Sequence, residues 1–176
     1  MSMQYRLIYI VSFLLMLVSC EQRQGRALGA GTSFHLGKGS SQPFLLPDSS
    51  TLVLSPETSV YIAKGFGRDN RDIQLDGAAL FQVKGMPDRP FVVHTRDLEI
   101  VVLGTKFRVD AYRSKAGEEV DLVEGELRVR KSYHSDTDNE PEVLKAGEMV
   151  MINHDIDLME KEKLSPEELG RVNAMW

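Results

Sequence analysis

From Pro43 onward the chain alternates apolar and polar residues in short bursts, each closed by glycine, proline, asparagine or aspartate. Period-2 alternation buries one face of a strand and leaves the other in water, whereas a helix needs apolar residues every three or four positions. The bursts predict strands at 51–54, 60–63, 73–75, 79–83, 91–95, 98–103, 105–112, 120–123, 126–131, 143–145 and 148–153. A first edge strand is expected around Thr32 to Leu36. About ten to twelve short strands with a turn signal roughly every ten residues define an all-β chain, a jelly-roll or β-helix-like sandwich.

The segment "IVVLGTKFRVDAY", residues 100–112, tests that reading, because its Gly-Thr-Lys triplet also suggests a phosphate-binding loop. Such a loop needs several glycines whose N–H groups converge on the anion, followed at once by a helix. Gly104 stands alone, and Phe107, Val109 and Ala111 alternate with Lys106, Arg108 and Asp110 as in a half-buried strand. Gly104 is therefore read as a kink or tight turn between two strands, with Lys106 pointing to solvent. Gly77, Gly125 and Gly147 form a weak echo, each between two β segments in "IQLDGAALFQV", "VDLVEGELRV" and "EVLKAGEMVMI". All four glycines are assigned to structural turns, and the echo predicts hairpins stacked in similar poses.

At the end of the chain, in "KLSPEELGRVNAMW", the period changes. Ser165 can cap, Pro166 suits the first helical position, Glu168 completes a capping box, and Leu169, Val172 and Trp176 share one face. One short amphipathic helix from Pro166 to the C-terminus follows, with 158–176 assigned to a linker and this helix.

The N-terminus is different in kind. "MSMQYRLIYIVSFLLMLVSCEQ" has a basic start at Arg6, an apolar run from Leu7 to Val18, and Ser19-Cys20. The run has the length of a signal-peptide core and is short for a bilayer span. Leu17-Val18-Ser19-Cys20 looks like a bacterial lipobox, and Cys20, the only cysteine, is left as the lipid attachment point. Residues 1–19 are expected to be a lipoprotein signal peptide and 20–31 a flexible tether, with a β domain at 32–157. At random-coil scaling about twenty residues of Gly/Ser-rich chain would set the domain on the order of 25 Å from a membrane. The expected location is the bacterial cell envelope, at the outer membrane or the periplasmic face.

No catalytic, cofactor or metal site is expected. The net charge of -5 and the absence of a basic patch argue against nucleic acid. His35, His94, His134 and His154 lack the spacing of metal ligands. "SDTDNEPE" at 135–142 lacks the sixth-position glycine and twelfth-position glutamate of a calcium loop and reads as a solvated connection. There is no nucleophile elbow and no base beside a serine. The carboxylate pairs Glu118-Glu119 and Glu124-Glu126 are placed on solvated faces or turns, and Asp155 and Asp157 on a solvent-facing side.

With the strands in order, "FLLPDSSTLVLSPETSVYI", "DIQLDGAALFQVKGMPDRPFVVHT", "LEIVVLGTKFRVDAY", "EEVDLVEGELRVR" and "VLKAGEMVMI" resemble in order and spacing the blocks of the FecR domain, over about residues 30 to 157. Val102-Leu103-Gly104-Thr105 followed by Phe107 and Val109 is the most recognisable block. The resemblance implies an all-β, protein-binding domain of envelope regulators that receive a signal from an outer-membrane transporter and relay it to an extracytoplasmic-function sigma factor. The chain departs from it in carrying a lipobox, in lacking a preceding cytosolic anti-sigma segment, and in ending at Trp176. Ser49-Ser50 also replaces the glycine expected after Pro47-Asp48. Two functions follow as expectations. One is a sensory or regulatory lipoprotein that recruits a transporter or regulator through an exposed edge strand or apolar patch; the other is a structural or glycan-binding envelope adaptor.

Overall fold

The computed structural model describes residues 32–36 and 42–176. They form thirteen strands and one helix: β1 (Thr32–Leu36), β2 (Gln42–Leu45), β3 (Thr51–Leu54), β4 (Thr58–Ile62), β5 (Asp72–Gln82), β6 (Phe91–His94), β7 (Leu98–Val102), β8 (Lys106–Ala111), β9 (Gly117–Glu124), β10 (Glu126–Lys131), β11 (Glu142–Lys145), β12 (Glu148–Asn153), β13 (Leu158–Lys163) and α1 (Pro166–Asn173). The pairings define two sheets. One, sheet A, runs β1-β4-β5-β6-β7-β10-β11. The other, sheet B, runs β2-β3-β5-β8-β9-β12-β13. Every pair of these strands is antiparallel except β5 with β6.

The β5 strand belongs to both sheets. Its first half pairs with β4 and β6, and its second half with β3 and β8. Gly77 sits at the change-over with φ 121°, inside the strand rather than in a turn. A Cβ there would lie 2.7 Å from the Thr58 Cα, so only glycine lets β4 pass this closely. The Thr58 hydroxyl accepts from the Ala78 N–H and donates to the Ala78 carbonyl, satisfying backbone groups where the ladder changes partners. The two strands expected at 73–75 and 79–83 are thus one.

The other three glycines lie between strands of different sheets. Gly104 connects β7 of sheet A to β8 of sheet B, Gly125 connects β9 back to β10, and Gly147 connects β11 to β12. The hairpins expected at Gly125 and Gly147, like the kink or tight turn expected at Gly104, are corners where the chain passes from one sheet to the other. At Gly104 the constraint is steric: a Cβ would stand 2.6 Å from the Gly85 Cα. The two chain segments meet there through Val83 N–H to Thr105 O and Met86 N–H to Leu103 O, at 2.9 and 2.8 Å.

Between the sheets lies one continuous core. Phe81 and Phe107 stack with centroids 4.8 Å apart, and Phe91 meets Phe66 and Phe81 edge-on at 5.8 and 6.2 Å. Beside them is a buried cation: Arg71, 1% exposed, donates from Nε to Asp48 Oδ2 at 2.7 Å. It also donates to the carbonyls of Arg89 and Lys84 at 2.8 Å and lies 5.3 Å from the Phe91 ring. Asp48 in turn accepts from the N–H and the hydroxyl of Ser50. This network pins the β2–β3 turn to the chain entering β5 and the loop after it. Of the Ser49-Ser50 pair that stands where the family resemblance expects a glycine, Ser49 has φ 68°. Two elements carry no clear strand signal in the sequence: β2, short and containing a proline, and β13, whose Glu160, Lys161, Glu162 and Lys163 show no apolar alternation. The segment from 158 to 163, expected as linker, is an edge strand of sheet B.

Candidate protein-docking face

The outer face of sheet B is organised in cross-strand rows. Alternation sends Val109, Val120, Leu122, Val150 and Ile152 into the core, which turns Arg108, Asp110, Glu119, Asp121, Met149 and Met151 outward. Register then aligns Glu162, Met149, Asp121 and Arg108 in one row and Glu160, Met151, Glu119 and Asp110 in the next.

Arg108 holds the two rows together. Its Nη1 donates to Glu119 Oε1 at 2.6 Å and Asp121 Oδ2 at 2.7 Å, and its Nη2 to Asp110 Oδ2 at 2.7 Å. Lys115 Nζ adds a contact to Asp110 at 2.8 Å. Burial pushes the Asp121 carboxyl up to about 6, against the Arg108 bond that pulls it down, with Glu119 beside it adding to the rise. The helix α1 caps the first row. Ser165 accepts from the Glu168 N–H and Glu168 reaches back to the Ser165 N–H, the capping box expected from the sequence. Val172 is buried against the sheet, and Trp176 stands 4.5 Å from the Lys106 ammonium. Lys106 therefore meets an aromatic ring instead of open solvent.

The second row opens into a groove of about 360 Å³. Met151, Ile156 and Leu158 line it at 38%, 64% and 42% exposure, with Asp110, Glu119, Glu160 and Lys115 around them. The expected alternation puts Asp155 and Asp157 outward, which implies that Ile156 and Leu158 turn inward. The β12–β13 turn reverses this: Asp157, at φ 50°, accepts from Lys131 Nζ at 2.9 Å and Tyr133 OH at 3.0 Å, and its carboxyl is held well below the usual range by these bonds and that of Ser135. Satisfying a buried lysine thus leaves two aliphatic side chains in water.

Glu118 also departs from expectation. It is 3% exposed, accepts from the Thr95 hydroxyl and the Asp97 N–H, and is raised above the usual carboxyl range, chiefly by burial. Arg96 and His154 Nδ1 engage Asp97, at 2.6 and 3.1 Å. Both Glu118 oxygens are occupied, so the group ties the β6–β7 turn to β9 and the start of the β12–β13 turn. Glu124 and Glu126 are exposed, as are Asp136, Asp138, Glu140 and Asp155. Among the described residues no group of three or more His, Cys, Asp or Glu is arranged to hold a metal, and no helix is long and apolar enough to cross a membrane. Cys20, the signal peptide at 1–19 and the tether at 20–31 lie outside the described residues.

This two-sheet architecture is the setting for the comparisons with known proteins. The model of the FecR protein family matches residues 32–128, more than half of the chain. The chain belongs to the FecR protein family. Two crystal structures of a "putative anti-sigma factor" from Parabacteroides distasonis share the fold, each with TM-score 0.70 and 24% identity over 79% of this chain. The chain spans 62% and 63% of the length of those two chains. No curated protein matches it.

Proposed function

We propose that the protein is a non-enzymatic, protein-binding regulatory module of the bacterial envelope, lipid-anchored through Cys20 and acting in cell-surface signalling linked to sigma-factor regulation. Family membership and the fold shared with the anti-sigma-like structures support the regulatory role. The observation that carries protein binding is the groove exposing Met151, Ile156 and Leu158 among Asp110, Glu119 and Glu160. An apolar patch rimmed by carboxylates fits a partner segment bearing aliphatic side chains with lysine or arginine beside them, of the kind a transporter or regulator would present. The neighbouring edge strand is a poorer docking site. Its charges guard it, because antiparallel pairing with a second copy in one sheet sets Glu160 and Glu162 against each other and Lys161 against its own kind. A glycan platform is less well supported, since Tyr61 is the one exposed Phe, Tyr or Trp among the side chains described.

The test is complementation. A strain lacking the gene should lose regulated expression from a reporter of the linked sigma factor, and the wild-type chain should restore it. The double variant Ile156→Asp, Leu158→Asp should fold with an unchanged melting temperature and fail to restore it. Full restoration by that variant would eliminate the groove as the docking site. Anchoring is tested separately: palmitate labelling should disappear in Cys20→Ala.

A further inference from the structure

A second cavity, of about 230 Å³, lies between α1 and the first row of sheet B, sharing Glu119 with the docking groove. Asp121, Glu119 and Arg108 stand on its polar side, and Met149, Val172 and Met175 on its apolar side. The Asp121 side chain is 2% exposed; Arg108 satisfies Oδ2, while Oδ1 is buried with no hydrogen-bond donor. A buried carboxylate oxygen without a donor is costly, so the site calls for a group that donates.

Charge points the same way. Asp110, Glu119, Asp121 and Glu168 face Arg108, Lys115 and Arg171, leaving one negative charge in excess. A donor carrying one positive charge meets both needs at once. The carboxylates are not arranged to hold a metal, and the wall opposite them is aliphatic and thioether. We infer that this cavity is a binding site for a primary alkylammonium group, its N–H donors on Asp121 and Glu119 and its carbon chain against Val172, Met149 and Met175. A lysine side chain of a partner protein and a free aliphatic amine share this chemistry. Amine binding here shares Glu119 with the docking groove but needs Asp121, which the groove does not use, so Asp121→Asn tests this site apart from the groove.

Calorimetric titration of the full chain in detergent, with n-butylammonium chloride at constant ionic strength, reads the site directly. Quenching or enhancement of Trp176, the single tryptophan, reports it optically from beside Met175. Saturable binding is expected for n-butylammonium and absent for n-butanol. Asp121→Asn should weaken it by about tenfold or more, the scale of one hydrogen bond to a charged group. Should that variant fold poorly, Glu119→Gln, at a partly exposed position, should weaken binding in the same direction. Tighter binding of Nα-acetyl-lysinamide than of putrescine would point to a partner lysine, and the reverse order to a free amine. No saturable binding of any amine, or equal binding by wild type and both variants, overturns the site.

Discussion

The Asp121 carboxyl makes a prediction about stability that does not depend on any ligand. Its ordinary value is 3.8 and burial pushes it up to about 6. The folded state therefore holds this proton more tightly than the unfolded chain between those two values, and stability falls as pH rises through the window. At 1.36 kcal/mol per pH unit the difference corresponds to about 3 kcal/mol, fully present below about pH 4 and lost above about pH 6. Asp121→Asn removes the proton. Subtracting its stability from that of the wild type at each pH cancels Glu118, also raised, and Glu99 and Glu168, held low by Arg130 and by the Ser165 cap. Urea unfolding at half-unit intervals from about pH 4 to 8 should give a difference that declines by on the order of 3 kcal/mol and then levels off. Parallel curves would show that Asp121 titrates normally, and the account of its burial would be wrong. A difference that increases with pH would mean that Arg108 outweighs desolvation.

Two further perturbations test the scaffold. Arg71→Ala strands the Asp48 carboxylate, 1% exposed, without its cation and should cost about 3–5 kcal/mol in chemical denaturation; a loss under about 1 kcal/mol would mean that Asp48 is satisfied by Ser50 alone. Gly104→Val forces a side chain onto Gly85 and should lower the melting temperature by several degrees or more, about 1–3 kcal/mol of overpacking, with no change in nucleotide binding because none is expected. An unchanged melting temperature would show that the corner relaxes freely.

Much of this architecture is visible in the alternation alone. The strands at 51–54, 126–131 and 148–153 coincide with β3, β10 and β12, and the Ser165 box marks the start of α1. The connectivity is not visible, because a glycine between two strands reads the same whether the chain turns back within a sheet or crosses to the facing one. Local residues set the bend, and only the long-range pairing of β5 with both β4 and β3 decides its use. Reasoning by charge alone also fails at β13: Glu160, Lys161, Glu162 and Lys163 suit a guarded edge as well as a linker, and the register to β12 settles which. The groove beside β13 was hidden for a related reason. Ile156 and Leu158 face water only because Asp157 turns inward to Lys131, a residue 26 positions earlier in the chain.

The family match ends at residue 128, and both the core and the outer face of sheet B straddle that boundary. The Arg71–Asp48 pin, the Phe81–Phe107 stack and the Gly77 and Gly104 crossings all lie within it. The outer face of sheet B is composite: Arg108, Asp110, Glu119 and Asp121 come from the matched segment, while Met149, Met151, Ile156, Leu158, Glu160 and α1 come from beyond it. The matched residues therefore supply a charged platform, and the later residues decide how much of it is covered and which apolar groups stand beside it. Exchanging residues 148–176 between two members of the family, with Val150 and Ile152 kept because both sit in the core, should accordingly transfer partner preference, read by pull-down. Transfer of preference by residues 32–128 instead would place recognition on sheet A or on the Arg108, Asp110, Glu119 and Asp121 platform, and not on the aliphatic side chains of the groove.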